Sequence, residues 1–262
     1  MNASKQLNTG RTATILTFAA ISTLLSGSVS VAESINVDIG TVGGVPGPTY
    51  GAAGEAGTWN GVDIPDMLGD IQTGPLLDTS GQMTNVTLSI VSLPFAGNVT
   101  GFADPADYPS GDAYALLHDQ VNCGFMISGQ TPYGTAFDFS GLAPGTYDVI
   151  TYATPTAVTL VQTVVSLDDD PMTAKTTTGA FGFPFVELIE DVTHVVHRNV
   201  VVGTGETLRI IAHSVQTSDQ SFVNGFQVAP SASSGIPATG IGGMLTMTLL
   251  VVLGGAFVWA RV

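Results

Sequence analysis

The sequence has very few basic residues. Against 21 Asp and Glu it carries six Lys and Arg, which gives a formal net charge of −15. Every acidic residue lies between Glu33 and Asp219, and only three basic residues share that stretch, so it has a formal charge of −18. A charge of this sign repels nucleic-acid phosphates and anionic membrane surfaces. The negative charge therefore excludes a nucleic-acid partner. Its remaining interpretations are calcium binding, adaptation to saline water or plain solubility.

Cysteine is also nearly absent, with Cys123 the single one. No intrachain disulfide can form, so the fold must depend on its core and on any ions it binds. Cys123 lies in the apolar stretch 121–127, which predicts a buried, inert thiol rather than a nucleophile.

Helix signals are scarce, and short apolar runs recur instead between clusters of Gly, Pro and Thr. This pattern predicts an all-β fold of about nine to eleven strands, an antiparallel β-sandwich, over residues 33–229. The clearest strands are 35–39, 86–90, 147–152, 158–167, 192–202, 208–212 and 222–228. Weaker ones are expected near 114–118, 123–127, 135–139 and 182–189. The stretches 40–80 and 95–111 are expected to be long loops that carry function or cap the sandwich.

The N-terminal segment predicts a signal peptide over residues 1–32. Lys5 and Arg11 precede the short apolar run 13–25, and the small residues Ser30-Val31-Ala32 follow. This is the order of an export signal, with cleavage expected after Ala32. The apolar run is too short to cross about 30 Å of hydrocarbon as a helix.

The C-terminal segment predicts a transmembrane helix over residues 241–260. The segment has no charge, and Trp259 and Arg261 stand where an interfacial aromatic and a cytoplasmic cation are expected. A small, flexible linker, 230–240, precedes it. Together the two ends predict that residues 33 to about 235 lie outside the cell, tethered to its surface.

The linker ends in Ile236-Pro237-Ala238-Thr239-Gly240. This motif, with the apolar helix and terminal Arg after it, is similar to the sortase signal L-P-x-T-G and to the tails of the PEP-CTERM class of bacterial surface proteins. The resemblance implies export and sorting machinery as partners, and a processing enzyme that recognises and often removes the tail.

The exposed region resembles galactose-binding-like and malectin-like jelly rolls. The stretches that carry the resemblance are 35–40, 50–61, 141–149 and 222–228. It implies a jelly-roll sandwich whose first and last strands lie together.

Catalytic motifs are weak. Asp78-Thr-Ser-Gly81 is similar to one aspartic-protease loop, but that chemistry needs a second carboxylate, and a polar turn is the favoured interpretation. His194 and His197 have the spacing of a helical metal site, yet on a strand they point to opposite faces. His118-Asp119 and His213 are isolated, so no enzyme is predicted.

Two binding sites are predicted. Asp168, Asp169 and Asp170 form the densest acidic cluster and are candidate calcium ligands, since jelly rolls of this kind often hold a structural calcium. A solvated turn is the alternative. Trp59, Tyr108 and Tyr114 lie in or beside the long loops and are candidates for stacking on sugar rings, with a core position as the alternative for tryptophan.

The sequence therefore predicts a non-enzymatic surface protein that binds glycan or matrix. A structural component of the cell envelope or extracellular matrix without a small ligand is the alternative, and a polysaccharide-active enzyme is disfavoured.

Overall fold

The computed structural model describes eight stretches of the chain: 32–64, 70–93, 111–123, 134–154, 162–168, 170–178, 187–215 and 221–232. The expectations for the signal peptide before Ala32, for Tyr108 and Asp169, for the motif 236–240 and for the span 241–260 lie outside them. Within these stretches no helix is both long enough and apolar enough to cross a bilayer.

The described chain forms thirteen strands and one short helix. In order they are β1 (Ile35–Ile39), β2 (Trp59–Val62), β3 (Ile71–Gln72), β4 (Thr87–Ser92), α1 (Asp112–His118), β5 (Val121–Asn122), β6 (Thr135–Ser140), β7 (Gly145–Tyr152), β8 (Thr163–Leu167), β9 (Asp170–Thr176), β10 (His194–Val202), β11 (Leu208–Ser214), β12 (Phe222–Val223) and β13 (Gly225–Pro230).

The strands build two main sheets. One has the order β10-β7-β13-β1-β2, the other β3-β4-β6-β11-β8-β9, and β5 pairs with β12 apart from them. Every pairing between these strands is antiparallel except that of β1 with β2. The predicted all-β sandwich is confirmed.

The main core lies between the two sheets. Phe226 of the five-stranded sheet packs against Phe137 and Phe139 of the six-stranded sheet, with ring centroids 4.8 and 5.5 Å apart. All three rings are fully buried. Contacts of this kind across the layer, rather than a disulfide, hold the sheets together, because burial of each large apolar side chain contributes roughly 1.5–3 kcal/mol.

A second core covers the outer face of the five-stranded sheet. Leu116 and Leu117 of α1 pack there against Trp59, Ile150 and Tyr152. Because this sheet is covered on both faces, all five residues of β1 are buried although their sequence alternates.

The first described strand pairs with the last. Ile35 of β1 lies opposite Val228 of β13, and the two strands run antiparallel. The expectation that the first and last strands lie together is confirmed.

Both chain ends leave the sandwich at one end, which we call the exit end. Ser231 donates its backbone N–H to the carbonyl of Thr146 at 2.9 Å. A Cβ placed on Gly145 would lie 3.7 Å from that of Ala32. Ala32, the expected last residue of the signal peptide, is partly buried against the core. The opposite end, where Asp119 lies over Gly40, is the far end.

Several local expectations were wrong. Residues 112–118 form α1 rather than a strand, because a short apolar run fits a buried helix turn as well as a strand. The loop predicted over 40–80 contains β2 and β3, and residues 187–189 are not a strand. Asp170 begins β9 instead of ending a turn.

Candidate functional site

A polar row crosses the outer face of the six-stranded sheet. On β6, Phe137 and Phe139 point into the core, so Asp138 between them points outward. The strand register places Asp138 opposite Ser89 of β4 on one side and Arg209 of β11 on the other. Three polar side chains that are distant in sequence therefore lie side by side.

This row forms the floor of a groove of about 400 Å³. Its six lining residues are all polar or charged: Ser89, Asp138, Ser140, Asp168, Thr207 and Arg209. Ser140 ends β6 just before the hairpin that leads to Gly145, so the groove lies towards the exit end.

Arg209 and Asp138 form a two-pronged ion pair in the groove. Nε of Arg209 donates to Oδ1 of Asp138 and Nη2 donates to Oδ2, each at 2.7 Å. The side chain of Arg209 is 46% exposed and that of Asp138 is 14% exposed. The pair fixes the plane of the guanidinium. Each oxygen of Asp138 accepts one of the two bonds.

Hydroxyl groups complete the groove on one side. The Oγ of Ser140 and the Oγ1 of Thr207 are hydrogen-bonded at 3.0 Å. One hydroxyl uses its hydrogen in this bond, the other keeps a hydrogen to donate, and both retain acceptor capacity. The groove thus combines a guanidinium, carboxylates and hydroxyls, the kinds of group that bind the hydroxyls of a sugar.

Asp168 lies beside this ion pair. Its backbone has a φ of 49° in the turn after β8, and its N–H donates to the carbonyl of Arg209 at 3.1 Å. Partial burial raises the pKa of the Asp168 carboxyl, and the charges of Asp138 and Glu206 add to this, while the Arg209 guanidinium opposes it. Asp168 therefore lies near one guanidinium and two other carboxylates.

Two of the three aspartates predicted to bind calcium, Asp168 and Asp170, are described. Asp168 lies beside the positive charge of Arg209, which repels a cation. Oδ1 of Asp170 accepts the N–H of Met172 at 2.9 Å on the exposed strand β9. Among the described residues, no group of three or more His, Cys, Asp or Glu side chains is arranged to hold a metal. Calcium binding stays a prediction.

The two described candidates for sugar stacking, Trp59 and Tyr114, lie away from the groove. Trp59 is 6% exposed in the second core, and its indole N–H donates to the carbonyl of Tyr50 at 3.0 Å. Tyr114 lies half-buried on α1, with its ring centroid 4.6 Å from that of His118. Stacking on Trp59 would require its neighbours to move. The ligand roles of these residues and of Tyr108 stay predictions.

The weak catalytic motifs have structural roles. Oδ1 of Asp78 accepts the N–H and hydroxyl of Ser80 and the N–H of Gln82, which closes a polar turn. These bonds lower the pKa of Asp78, that of the Ser80 hydroxyl most. His194 and His197 contact different partners, the Thr193 hydroxyl and the Thr173 carbonyl. Cys123 is fully buried, as expected.

Sequence reasoning missed a buried acidic pair at the far end. Asp38 on β1 is fully buried, and neither of its carboxyl oxygens has a hydrogen-bond partner. Burial, with the nearby charge of Asp119, raises the pKa of Asp38 to about 9. The alternation of 35–39 marks Asp38 as pointing out of the main core, but gives no sign that α1 and the 40–58 loop cover it.

Comparison with known proteins adds little to this geometry. No protein-family model matches the chain, and no curated protein matches it either. Among solved structures, an exo-β-1,3-galactanase from Phanerochaete chrysosporium, crystallised with galactose, aligns with 58% of this chain and 32% of its own. The identity is 12% and the TM-score 0.28, so the likeness carries no argument about fold or function.

Proposed function

We propose that this chain is an exported surface protein, anchored to the membrane or cell envelope by its C-terminal segment, whose jelly-roll sandwich binds extracellular glycan without catalysis. The observation that carries the proposal is the all-polar groove with the Arg209–Asp138 ion pair on its floor. Planar, pre-oriented donors and acceptors of this kind suit the paired hydroxyls of a sugar ring.

The address is supported by the two sequence ends: the export signal ending at Ala32 and the apolar segment 241–260 after the motif Ile236–Gly240. The jelly-roll assignment is supported by the pairing of β1 with β13. A non-enzymatic role is supported by Asp138, whose two oxygens are both engaged by Arg209.

A glycan-array screen of the full-length chain in detergent tests the proposal. The Arg209→Ala variant should lose at least about tenfold in affinity for the sugar bound best, since it removes charged hydrogen bonds worth roughly 1.5–3 kcal/mol.

The chain offers a matched control for this screen. Arg198 holds Glu190 by the same two-pronged geometry, at 2.7 and 2.6 Å, on the exposed surface of β10. The Arg198→Ala variant removes an equivalent ion pair outside the groove and should bind as the unaltered chain does. Equal affinity of the Arg209→Ala and Arg198→Ala variants for the sugar would show that the groove is not part of the binding site.

A structural envelope component is the second candidate. Met172 on the edge strand β9 is 90% exposed and Val201 on the edge strand β10 is 74% exposed, and exposed apolar edges favour self-association. Sedimentation of the chain without sugar would show concentration-dependent assembly if this role held, and the Met172→Lys variant should reduce it.

A further inference from the structure

We propose that the far end of the sandwich holds a calcium ion between Asp38 of β1 and Asp119, the residue that follows α1. This site does not depend on the proposed glycan binding, because the groove lies on the outer face of the other sheet. The proposal starts from a fully buried carboxyl group that has no hydrogen-bond partner in the described chain.

Asp38 points away from the main core. Its neighbours Val37 and Ile39 face that core, so the side chain of Asp38 lies on the opposite face of β1, where it is completely buried. Within the part of the chain that the structure describes, neither Oδ1 nor Oδ2 of Asp38 has a hydrogen-bond partner. Buried polar groups almost always have one, and a group without it points to an ordered water or a bound ion.

A second buried carboxyl lies beside the first. Asp119 is 6% exposed, and its charge acts on Asp38. A Cβ on Gly40 would lie 2.2 Å from the Cβ of Asp119, which places Asp119 over the backbone just beyond Asp38. The oxygens of Asp119 accept bonds from Nδ1 of His118 and from the N–H of Gly43, and each oxygen keeps a further lone pair. Two acids that meet away from water need a positive charge between them.

The surroundings of Asp38 explain why the protein itself offers it no partner. Its cross-strand neighbours are both glycines, Gly61 on β2 and Gly225 on β13. A Cβ on Gly61 would lie 2.7 Å from Val45, and one on Gly225 would lie 2.9 Å from Leu116, so apolar side chains close over the backbone on either side. Gly61 is exposed on the edge strand, and only this strand separates Asp38 from solvent, which gives an ion a short way in.

A cation satisfies this arrangement better than a proton does. A proton removes the charge of Asp38 but leaves its O–H and its carbonyl oxygen without partners. A cation engages both oxygens of Asp38 and a remaining lone pair of Asp119, and it balances the two charges. In chelator, where no cation is present, a proton neutralises Asp38 instead.

The available ligands favour calcium. No cluster of three or more His, Cys, Asp or Glu ligands occurs among the described residues, so carbonyl oxygens and waters complete the coordination. The carbonyl oxygen of Gly40 is one candidate, since it lies 3.9 Å from the Cβ position of Gly61 beside Asp38. Calcium accepts oxygen ligands in flexible number and geometry, whereas magnesium needs a near-ideal octahedron. The ion would join β1, residues 40–44 and the end of α1.

Calorimetric titration of the full-length chain in detergent, freed of metal by chelator, tests the site without any substitution. Calcium chloride should bind saturably with about one ion per chain in about 150 mM NaCl, which screens diffuse binding to surface acids. The melting temperature in calcium should exceed that in EDTA by at least about 5 °C, and magnesium should give less than half of this rise. Absence of saturable calcium binding would overturn the proposal.

Two substitutions and a matched control locate the ion. Asp38→Asn keeps the shape of the side chain and removes its charge, so it should abolish the calcium-dependent rise in melting temperature. Asp119→Asn should weaken calcium binding at least about tenfold. Asp170→Asn removes a carboxyl from the acidic stretch 168–170 and should keep the full response. A response that survives in Asp38→Asn would overturn the proposal, and loss in Asp170→Asn would move the ion to that stretch.

Hydrogen exchange of the unaltered chain locates the ion even where a variant fails to fold. Calcium should slow exchange at the far end, in residues 38–44 and 117–121, more than in β9, which contains Asp170. Slowing at the far end that is no greater than in β9 would overturn the location. None of these outcomes depends on whether the groove binds sugar.

Discussion

Asp38 and Asp119 are buried neighbours at the far end of the sandwich, and they differ in how their carboxyl groups are satisfied. Asp119 has one oxygen on the Nδ1 of His118 and the other on the N–H of Gly43, each at 2.8 Å. Asp38 has no hydrogen-bond partner for either oxygen. Asp119 therefore connects the loop and α1, while burial and the charge of Asp119 raise the pKa of Asp38 and favour its protonated form at neutral pH.

Removing the ionisable group at position 38 should reduce the loss of stability at high pH. The pKa of Asp38 rises from 3.8 to about 9 on folding, so the folded chain keeps a proton that the unfolded chain has released. The free energy of unfolding then falls as pH rises from about 4 to 9, by up to about 1.4 kcal/mol per pH unit. In the Asp38→Asn variant, the free energy of unfolding measured in urea should no longer show this fall with rising pH. Asp70→Asn, at an exposed position, is the control and should keep the original slope.

The histidines of β10 should destabilise the fold in acid. Burial lowers the pKa of both His194 and His197 below the ordinary 6.5, and the Nδ1 of His197 is buried without a hydrogen bond. Below pH 6.5 the unfolded chain therefore binds protons at these histidines that the folded chain does not bind. The stability that the neutral histidines allow above pH 6.5 is lost as pH falls below it. His197→Gln should reduce this acid loss in thermal melts from about pH 7 to about pH 5. The comparison is made in the Asp38→Asn background, because Asp38 gains stability as pH falls over the same range and would mask the loss. An unchanged acid loss in His197→Gln would contradict the assignment.

Two buried tyrosines allow a matched comparison of hydrogen bonds. The hydroxyl of Tyr152 donates to the side chain of Gln227 and accepts the N–H of Ala53 at 2.8 Å. The hydroxyl of Tyr147 donates to the carbonyl of Ala143 at 2.7 Å. Tyr152→Phe should cost about 1–3 kcal/mol in urea unfolding, because it leaves the buried side chain of Gln227 and the part-buried N–H of Ala53 without their partner, and Tyr147→Phe should cost less. Equal losses would mean that the bonds to Gln227 and Ala53 contribute little.

Alanine substitutions at Gly40 and Gly44 distinguish the cost of a steric clash from the cost of backbone strain. Both have a positive φ, 97° and 91°, which favours glycine. A Cβ on Gly40 would lie 2.2 Å from the Cβ of Asp119, whereas a Cβ on Gly44 would meet nothing within 4 Å. Gly44→Ala should cost about 1–2 kcal/mol of strain in thermal unfolding, and Gly40→Ala should cost more, because the far-end loop must move. A similar loss of stability in the two variants would show that Asp119 can move away from the added Cβ at little cost.

The sequence predicts the fold class much better than it predicts the groove. The alternation of apolar and polar residues predicts β1 and β11, because every second side chain of each strand faces the main core. The α1 helix is missed because its seven residues are too few for a helical period to show. The groove is missed because Ser89, Asp138 and Arg209 come together only through the pairing of β4, β6 and β11. Pairing between strands so far apart in the chain is not encoded in any local pattern.

The position of β13 has a consequence for the order of folding. This strand, the last of the described chain, lies in the middle of the five-stranded sheet, between β7 and β1. Among the described strands, β13 alone connects β1 and β2 to the rest of that sheet. These two strands can therefore pair with the sheet only after nearly the whole domain has been synthesised. Such long-range closure slows folding. The export that we propose would benefit from this delay, because the sandwich stays open until β13 arrives.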